Sequence, residues 1–360
     1  MKHTQEIFQK IYQRQTQVLT QITIPQDQAD SPIGSTNALS VQNNYFQIRI
    51  NELYLSKGRE WFTTYAPLVF TVAEFTYDNK IEAVPFIVGP TLIEKYGQKA
   101  PQGMLFSNTR IAGLHPYQGG RITLSIVLCR VRLKNYAKEL LSLSESIASV
   151  LDISTAFSTY LKISNVLLEG IESLFSLGDT QSLIGLRREF DPDAGDKLEA
   201  SYFVLMDAPE TQFDPEKFWV RDSQLLYGNS LSSAKPFRET DYVLYSLIPT
   251  TERQDIALLP FYSTYEDAKA WASKPDDKSW QQAKASMATL YQEMVKSPDL
   301  IPSQVRKLVN TYVAEIRGLR KIAIGLGSLG ATDEFDIGDI TNLSTTELLE
   351  NSDRIMALKL

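Results

Sequence analysis

Cysteine and histidine are almost missing: the 360 residues include one Cys, Cys129, and two His, His3 and His115. One thiol cannot close an internal disulfide. Two imidazoles and one thiol cannot supply a zinc site built mainly from His or Cys within one chain. Long apolar runs are missing too. The longest, Ile122 to Val131, is about ten residues and contains Arg130, whereas a membrane-spanning helix needs about 20. No N-terminal stretch joins a basic start to an apolar run and a small-residue cleavage site, so a cytoplasmic location is expected. No Gly-x-Ser-x-Gly surrounds any serine, which leaves a nucleophile-elbow hydrolase without its motif.

What is present suits globular units. Hydrophobic residues make up 43% of the chain and aromatics 10%, enough to bury cores in two or three domains of roughly 100–200 residues. Lys and Arg number 36 against 43 Asp and Glu, a net charge of −7. That balance disfavours nucleic acid as a partner.

The pattern along the chain predicts an α+β multidomain protein. Residues 1–24 place Ile7, Ile11, Val18, Leu19 and Ile22 on one side of an amphipathic helix. Residues 25–40, with two Pro, one Gly and no periodicity, suit a linker. Residues 41–133 carry alternating runs such as Phe46, Ile48, Ile50 and Ile122, Leu124, Ile126, Leu128, separated by turns at Tyr77–Lys80 and Gln118–Gly120. They predict an N-terminal β-sandwich. Residues 134–178 change to a 3.6-residue period and predict a helical hairpin, and 179–262 return to strands as a second β-rich domain. The C-terminal helices occupy 263–328: Ser263-Thr-Tyr-Glu266 has capping-box form, Asp276 or Asp277 can cap a second helix, and Pro302 fits the first turn of a third. A tail over 329–360 carries a short helix opened by Ser344-Thr-Thr-Glu347. No internal repeat is visible.

Charge is uneven. Residues 41–133 hold 10 basic and 6 acidic side chains, and residues 191–275 hold 8 and 15. Opposite signs favour docking of one region on the other, or recognition of different partners by each.

Few stretches carry chemistry. Asp191-Pro-Asp-Ala-Gly-Asp196 gathers Asp191, Asp193 and Asp196 into one turn, the donor type that hard cations take. An EF-hand starting there would want Gly at position 196 and Glu at 202, where Asp196 and Tyr202 stand, so a plain Pro/Gly turn competes with the metal site. Gly325-Leu-Gly-Ser-Leu-Gly330 has dinucleotide-loop spacing but follows a helical pattern and precedes acidic residues, which favours a flexible joint. His115 lies in a turn-rich stretch and Cys129 in an apolar strand. Neither shows a partner for nucleophilic catalysis. Arg306, Lys307, Arg317, Arg320 and Lys321 form a local basic helix face, balanced by neighbouring acids.

Two helical segments invite binding instead. Ile153 to Leu177 carries only Lys162, Glu169 and Glu172 as charges and would either be buried or insert into a partner's groove or a membrane interface. The 1–24 helix on its linker would reach on the order of 20 Å, and its apolar stripe needs a surface, its own body's or a partner's.

Domain content carries the functional expectation, since no family motif is recognised. It is a non-catalytic scaffold or regulatory subunit of a cytoplasmic multi-protein complex, needing no cofactor and binding another protein through the N-terminal helix or the charged β domains. Two alternatives stand beside it. One is a carboxylate- or metal-dependent hydrolase using Asp191, Asp193 and Asp196; the other is a switch that releases an amphipathic helix to a membrane or partner.

Overall fold

The computed structural model describes residues 19–34, 38–56, 59–60, 63–64, 66–89, 104–132, 167, 170–171, 173 and 180–325. The chain divides into two compact units, Met1–Thr251 and Glu252–Leu360.

The described strands of the first unit run, in order, β1 (Thr20–Pro25), β2 (Tyr45–Tyr54), β3 (Arg59–Glu60), β4 (Thr63–Thr64), β5 (Ala66–Tyr77), β6 (Lys80–Val88) and β7 (Met104–Pro116). They continue with β8 (Ile122–Val131), β9 (Thr180–Phe190), β10 (Ser201–Met206), β11 (Phe218–Arg221), β12 (Gln224–Tyr227), β13 (Lys235–Pro236) and β14 (Tyr242–Thr250). A five-stranded antiparallel sheet has the order β1-β10-β14-β2-β7 and a four-stranded one the order β6-β5-β8-β9. A small sheet joins β11, β12 and β13, and β3 pairs with β4.

Side chains alternate across a strand, and the five-stranded sheet is apolar on both faces. Phe203 and Leu205 of β10 and Val243, Tyr245 and Leu247 of β14 join the core shared with the four-stranded sheet. Their neighbours Tyr202, Val204, Met206, Tyr242 and Leu244 join a second core with Phe218, Val220, Leu225 and Phe237. Ring contacts cross the first interface, Phe46 to Phe75 at 5.1 Å and Phe190 to Phe203 at 5.2 Å. The central sheet is therefore covered by four strands on one side and three on the other.

The two strand-rich stretches of the sequence share these sheets. β14 pairs with β2 from Tyr242↔Tyr54 to Thr250↔Tyr45, and β9 pairs with β8. Period-2 patterning shows each strand's faces but not its hydrogen-bonded neighbour, so the sequence alone leaves open whether the two β regions are separate domains or one body. The expected helical hairpin at 134–178 lies outside the described residues except for Leu167, Gly170, Ile171 and Ser173. Leu167 and Ile171 are fully buried in the first core.

The N-terminal expectations need correction. The predicted 1–24 helix does not extend to its end, because Thr20–Pro25 is an edge strand pairing Ile22 with Val204 and Ile24 with Tyr202. The spacing of Ile22 and Ile24 satisfies a strand, and burial of both against the second core decides the conformation. The predicted 25–40 linker is not a free tether in its described part. Asp30 donates its N–H to Val220, Asp222 donates its N–H to Asp30 Oδ2, and Leu39 donates to Leu198. Gly34, at φ +92°, lies so close to the chain that a Cβ would stand 2.4 Å from the Pro249 carbonyl oxygen.

Among the described residues the second unit holds three α-helices, α1 (Tyr262–Ala272), α2 (Asp277–Lys296) and α3 (Pro302–Ala323). Asp276 caps α2, accepting from Ser279 N at 2.8 Å and Ser279 Oγ at 2.7 Å. Ser263 does not cap α1: the helix already begins at Tyr262, and the Ser263 hydroxyl donates to the Pro260 carbonyl. Pro302 opens α3 as expected, and Gly325, at φ +73°, stands just past its end. The remainder of the glycine motif and the 329–360 tail lie outside the described residues. Tyr265, Leu290, Tyr291, Met294, Val309 and Tyr312 lie in this unit's core.

Candidate functional site

The aspartate turn follows β9 directly. Pro192–Ala194 forms one 3-10 turn and Gly195 takes φ +94°. Asp191 Oδ1 accepts from Asp193 N at 3.0 Å, Asp196 Oδ2 accepts from Asp191 N at 2.9 Å, and Asp196 Oδ1 pairs with Arg188 at 3.0 Å. The carboxylates of Asp191 and Asp196 bind the turn itself and Arg188, and Asp193 joins them only through its backbone N–H. Among the described residues, no group of three or more His, Cys, Asp or Glu is placed to hold a metal ion.

His115 sits near the end of β7 and not in a turn. Its ring is buried among Phe75 at 4.7 Å, Phe46 at 5.9 Å and Tyr77 at 6.0 Å. Cys129 pairs with Leu68, and the alternation along β5 puts it on the opposite face of the four-stranded sheet from Phe75, so the sheet separates thiol from imidazole. Burial pushes the Cys129 thiol well above its ordinary value. Of the proposed partner-binding stripe, Ile22 is buried and Leu19 half-buried against a core; Ile7, Ile11 and Val18 lie outside the described residues.

The constellation that sequence reasoning missed is centred on Glu52. In β2, Phe46, Ile48 and Ile50 face the first core, and so do Leu53 and Leu55 beyond them. The parity changes because register shifts near Ile50 and Glu52 mark a bulge. Glu52 is thereby turned to the other face, toward the small sheet. Its side chain is 0% exposed. Oε1 lies 2.8 Å from Arg238 Nη2, and Oε2 accepts from the Leu225 backbone N–H at 2.7 Å. Arg238 also donates to the Tyr242 hydroxyl and lies over the Tyr54 ring at 5.2 Å, while Tyr54 stacks on Tyr242 at 5.6 Å.

Burial is the largest influence on Glu52 and pushes its carboxyl up to about 7; Arg238, Leu225 N–H and Tyr242 pull it down by less. Burial likewise holds the Tyr242 phenol well above its usual range. The Phe46–Ile50 and Leu53–Leu55 parities conflict in the sequence, a signal that could have exposed the bulge. Nothing local announces Arg238 as the partner.

Outside this clamp the small-sheet layer is acidic. From 207 to 241 there are seven acidic and four basic residues. Glu210, Asp214, Glu216, Asp222 and Glu239 are exposed. Of the basic residues, Arg238 faces Glu52, Arg221 donates to the Leu231 carbonyl, Lys217 pairs with Asp214 at 3.6 Å with its side chain partly in solvent, and Lys235 is exposed. Burial, and then its neighbour Asp241, raise the Asp207 carboxyl.

No protein-family model matches the chain, and no curated protein is recognisably similar to it.

Proposed function

We propose that this protein is a non-catalytic binding component, a scaffold or regulatory subunit of a cytoplasmic multi-protein complex, and that its acidic outer layer docks a basic surface of another protein. The observation that carries this reading is the segregation of charge: five exposed carboxylates stand on the 207–241 layer against two solvent-facing amines, Lys217 and Lys235. Such a one-sign field speeds association with a complementary surface and disfavours like-charged partners. The five- and four-stranded sheets serve as the halves of a β-sandwich that holds the layer. Leu167 and Ile171, buried in the first core, speak against release of these residues to a membrane.

The test is a native pull-down with mass spectrometry, using the full chain and a Glu210→Lys, Glu216→Lys, Asp222→Lys, Glu239→Lys variant. The variant should lose the partners that the unmodified chain retains, and raised salt should release them. An identical set of partners on both baits would refute the assignment.

A further inference from the structure

We propose that the three-stranded layer β11–β13 is a proton-sensitive flap, latched onto the central sheet through the carboxyl group of Glu52. The geometry is that of a latch. Glu52 belongs to the central sheet, yet one carboxylate oxygen accepts from the backbone of β12 at Leu225 and the other meets Arg238, just beyond β13. The group is 0% exposed while the layer is seated. Lifting the layer takes away Leu225 N–H and admits water to the carboxylate.

The ionisable groups around it are few. β2 contributes Tyr54, β14 contributes Tyr242, and Arg238 arrives from the connection before β14. On β12, Tyr227 is directed to Asp214, accepting its backbone N–H at 3.2 Å. On β11, Arg221 donates to the Leu231 carbonyl. Asp241 Oδ1 accepts from Ser56 N and Oγ, both at 2.6 Å, and Asp207 is its neighbour. On β7, Phe106 stands opposite Glu52, and the sequence 104–108 contains no ionisable side chain.

A solvated glutamate titrates near its ordinary 4.5, and burial raises this one to about 7. A raised carboxyl means that the seated layer binds the proton more tightly than the lifted one. Seating is therefore strongest below 4.5 and weakens as pH rises through about 7, falling about tenfold between pH 6 and pH 8. This latch does not depend on what the acidic layer binds.

The experiment is hydrogen exchange on the full chain, reading the amides of 218–227 at pH 6 and pH 8 after correction for intrinsic rates. Protection should fall about tenfold at pH 8. Glu52→Gln should abolish the pH difference. Arg238→Met removes the cation that lowers the Glu52 carboxyl, so the fall should move to higher pH. Equal corrected protection at pH 6 and pH 8 in the unmodified chain overturns the proposal, as does an unchanged pH difference in Glu52→Gln. The unmodified profile is decisive without either variant, and loss of partners in the pull-down is read separately.

Discussion

Arg253 offers a direct measure of what holds the helical unit together. Its side chain is 1% exposed and lies against two carboxylates, Asp255 at 9% and Asp299 at 7%. Nε and Nη2 grip the two oxygens of Asp255 at 2.7 and 2.8 Å, and Nη1 donates to the Asp299 carbonyl at 2.7 Å. Gln304 of α3 closes the clamp by bonding the Arg253 backbone on both sides, at 3.2 and 2.8 Å. Arg253→Ala leaves a buried carboxylate without its counter-charge, which costs about 3–5 kcal/mol. A penalty of this size equals or exceeds a large part of the stability of a small unit. The assay is hydrogen exchange across α1, α2 and α3. At about 1.4 kcal/mol per tenfold, protection should fall by at least about a hundredfold if the unit opens as a whole. The Arg253→Leu, Asp255→Leu double variant should recover part of it, because the closer of the two carboxylates is gone while Asp299 keeps its charge. A loss under about 1 kcal/mol for Arg253→Ala, or no recovery in the double variant, would refute the clamp.

Three further outcomes follow from packing. Gly34→Ala should lower the stability of the first unit by about 2 kcal/mol or more in urea unfolding, since its Cβ meets the Pro249 carbonyl and Ile248; a change within about 0.5 kcal/mol would restore the free linker. Phe75→Ala should cost about 3–5 kcal/mol in the same assay, because its ring lies between Phe46 and His115 at the meeting of the two larger sheets; a cost near that of an exposed site would mean that the sheets do not face one another there. Cys129 should resist iodoacetamide in the native protein and react on unfolding, its thiol being buried and its ionisation disfavoured; rapid native labelling would contradict its burial.

Local features of this chain are visible in its sequence, and the non-local ones are not. The alternation in β2 and β8, the left-handed Asp78 and Asn79 at the β5–β6 turn, the Asp276 cap and Pro302 each act within a few residues. Strand pairing does not, so nothing in Tyr242–Thr250 alone shows that its partners are β10 and β2. Ile22 and Ile24 fit both a helix end and an edge strand, and the second core chooses the strand. The aspartate turn was readable as a turn and as a carboxylate cluster. How its oxygens are spent depends on Arg188 and on backbone N–H groups that spacing does not show. Glu52 was hidden because a bulge reverses its face, and its partner Arg238 comes from a distant part of the chain.

The most direct measurement of the binding claim is cross-linking mass spectrometry on the complex recovered with the unmodified full chain. Lys217 and Lys235 are the amines of the 207–241 layer. Cross-links from the partner should concentrate at these two lysines and disappear with the charge-reversed bait. Partner cross-links confined to lysines of the helical unit, with none at Lys217 or Lys235, would contradict the assignment of the acidic layer as the docking face.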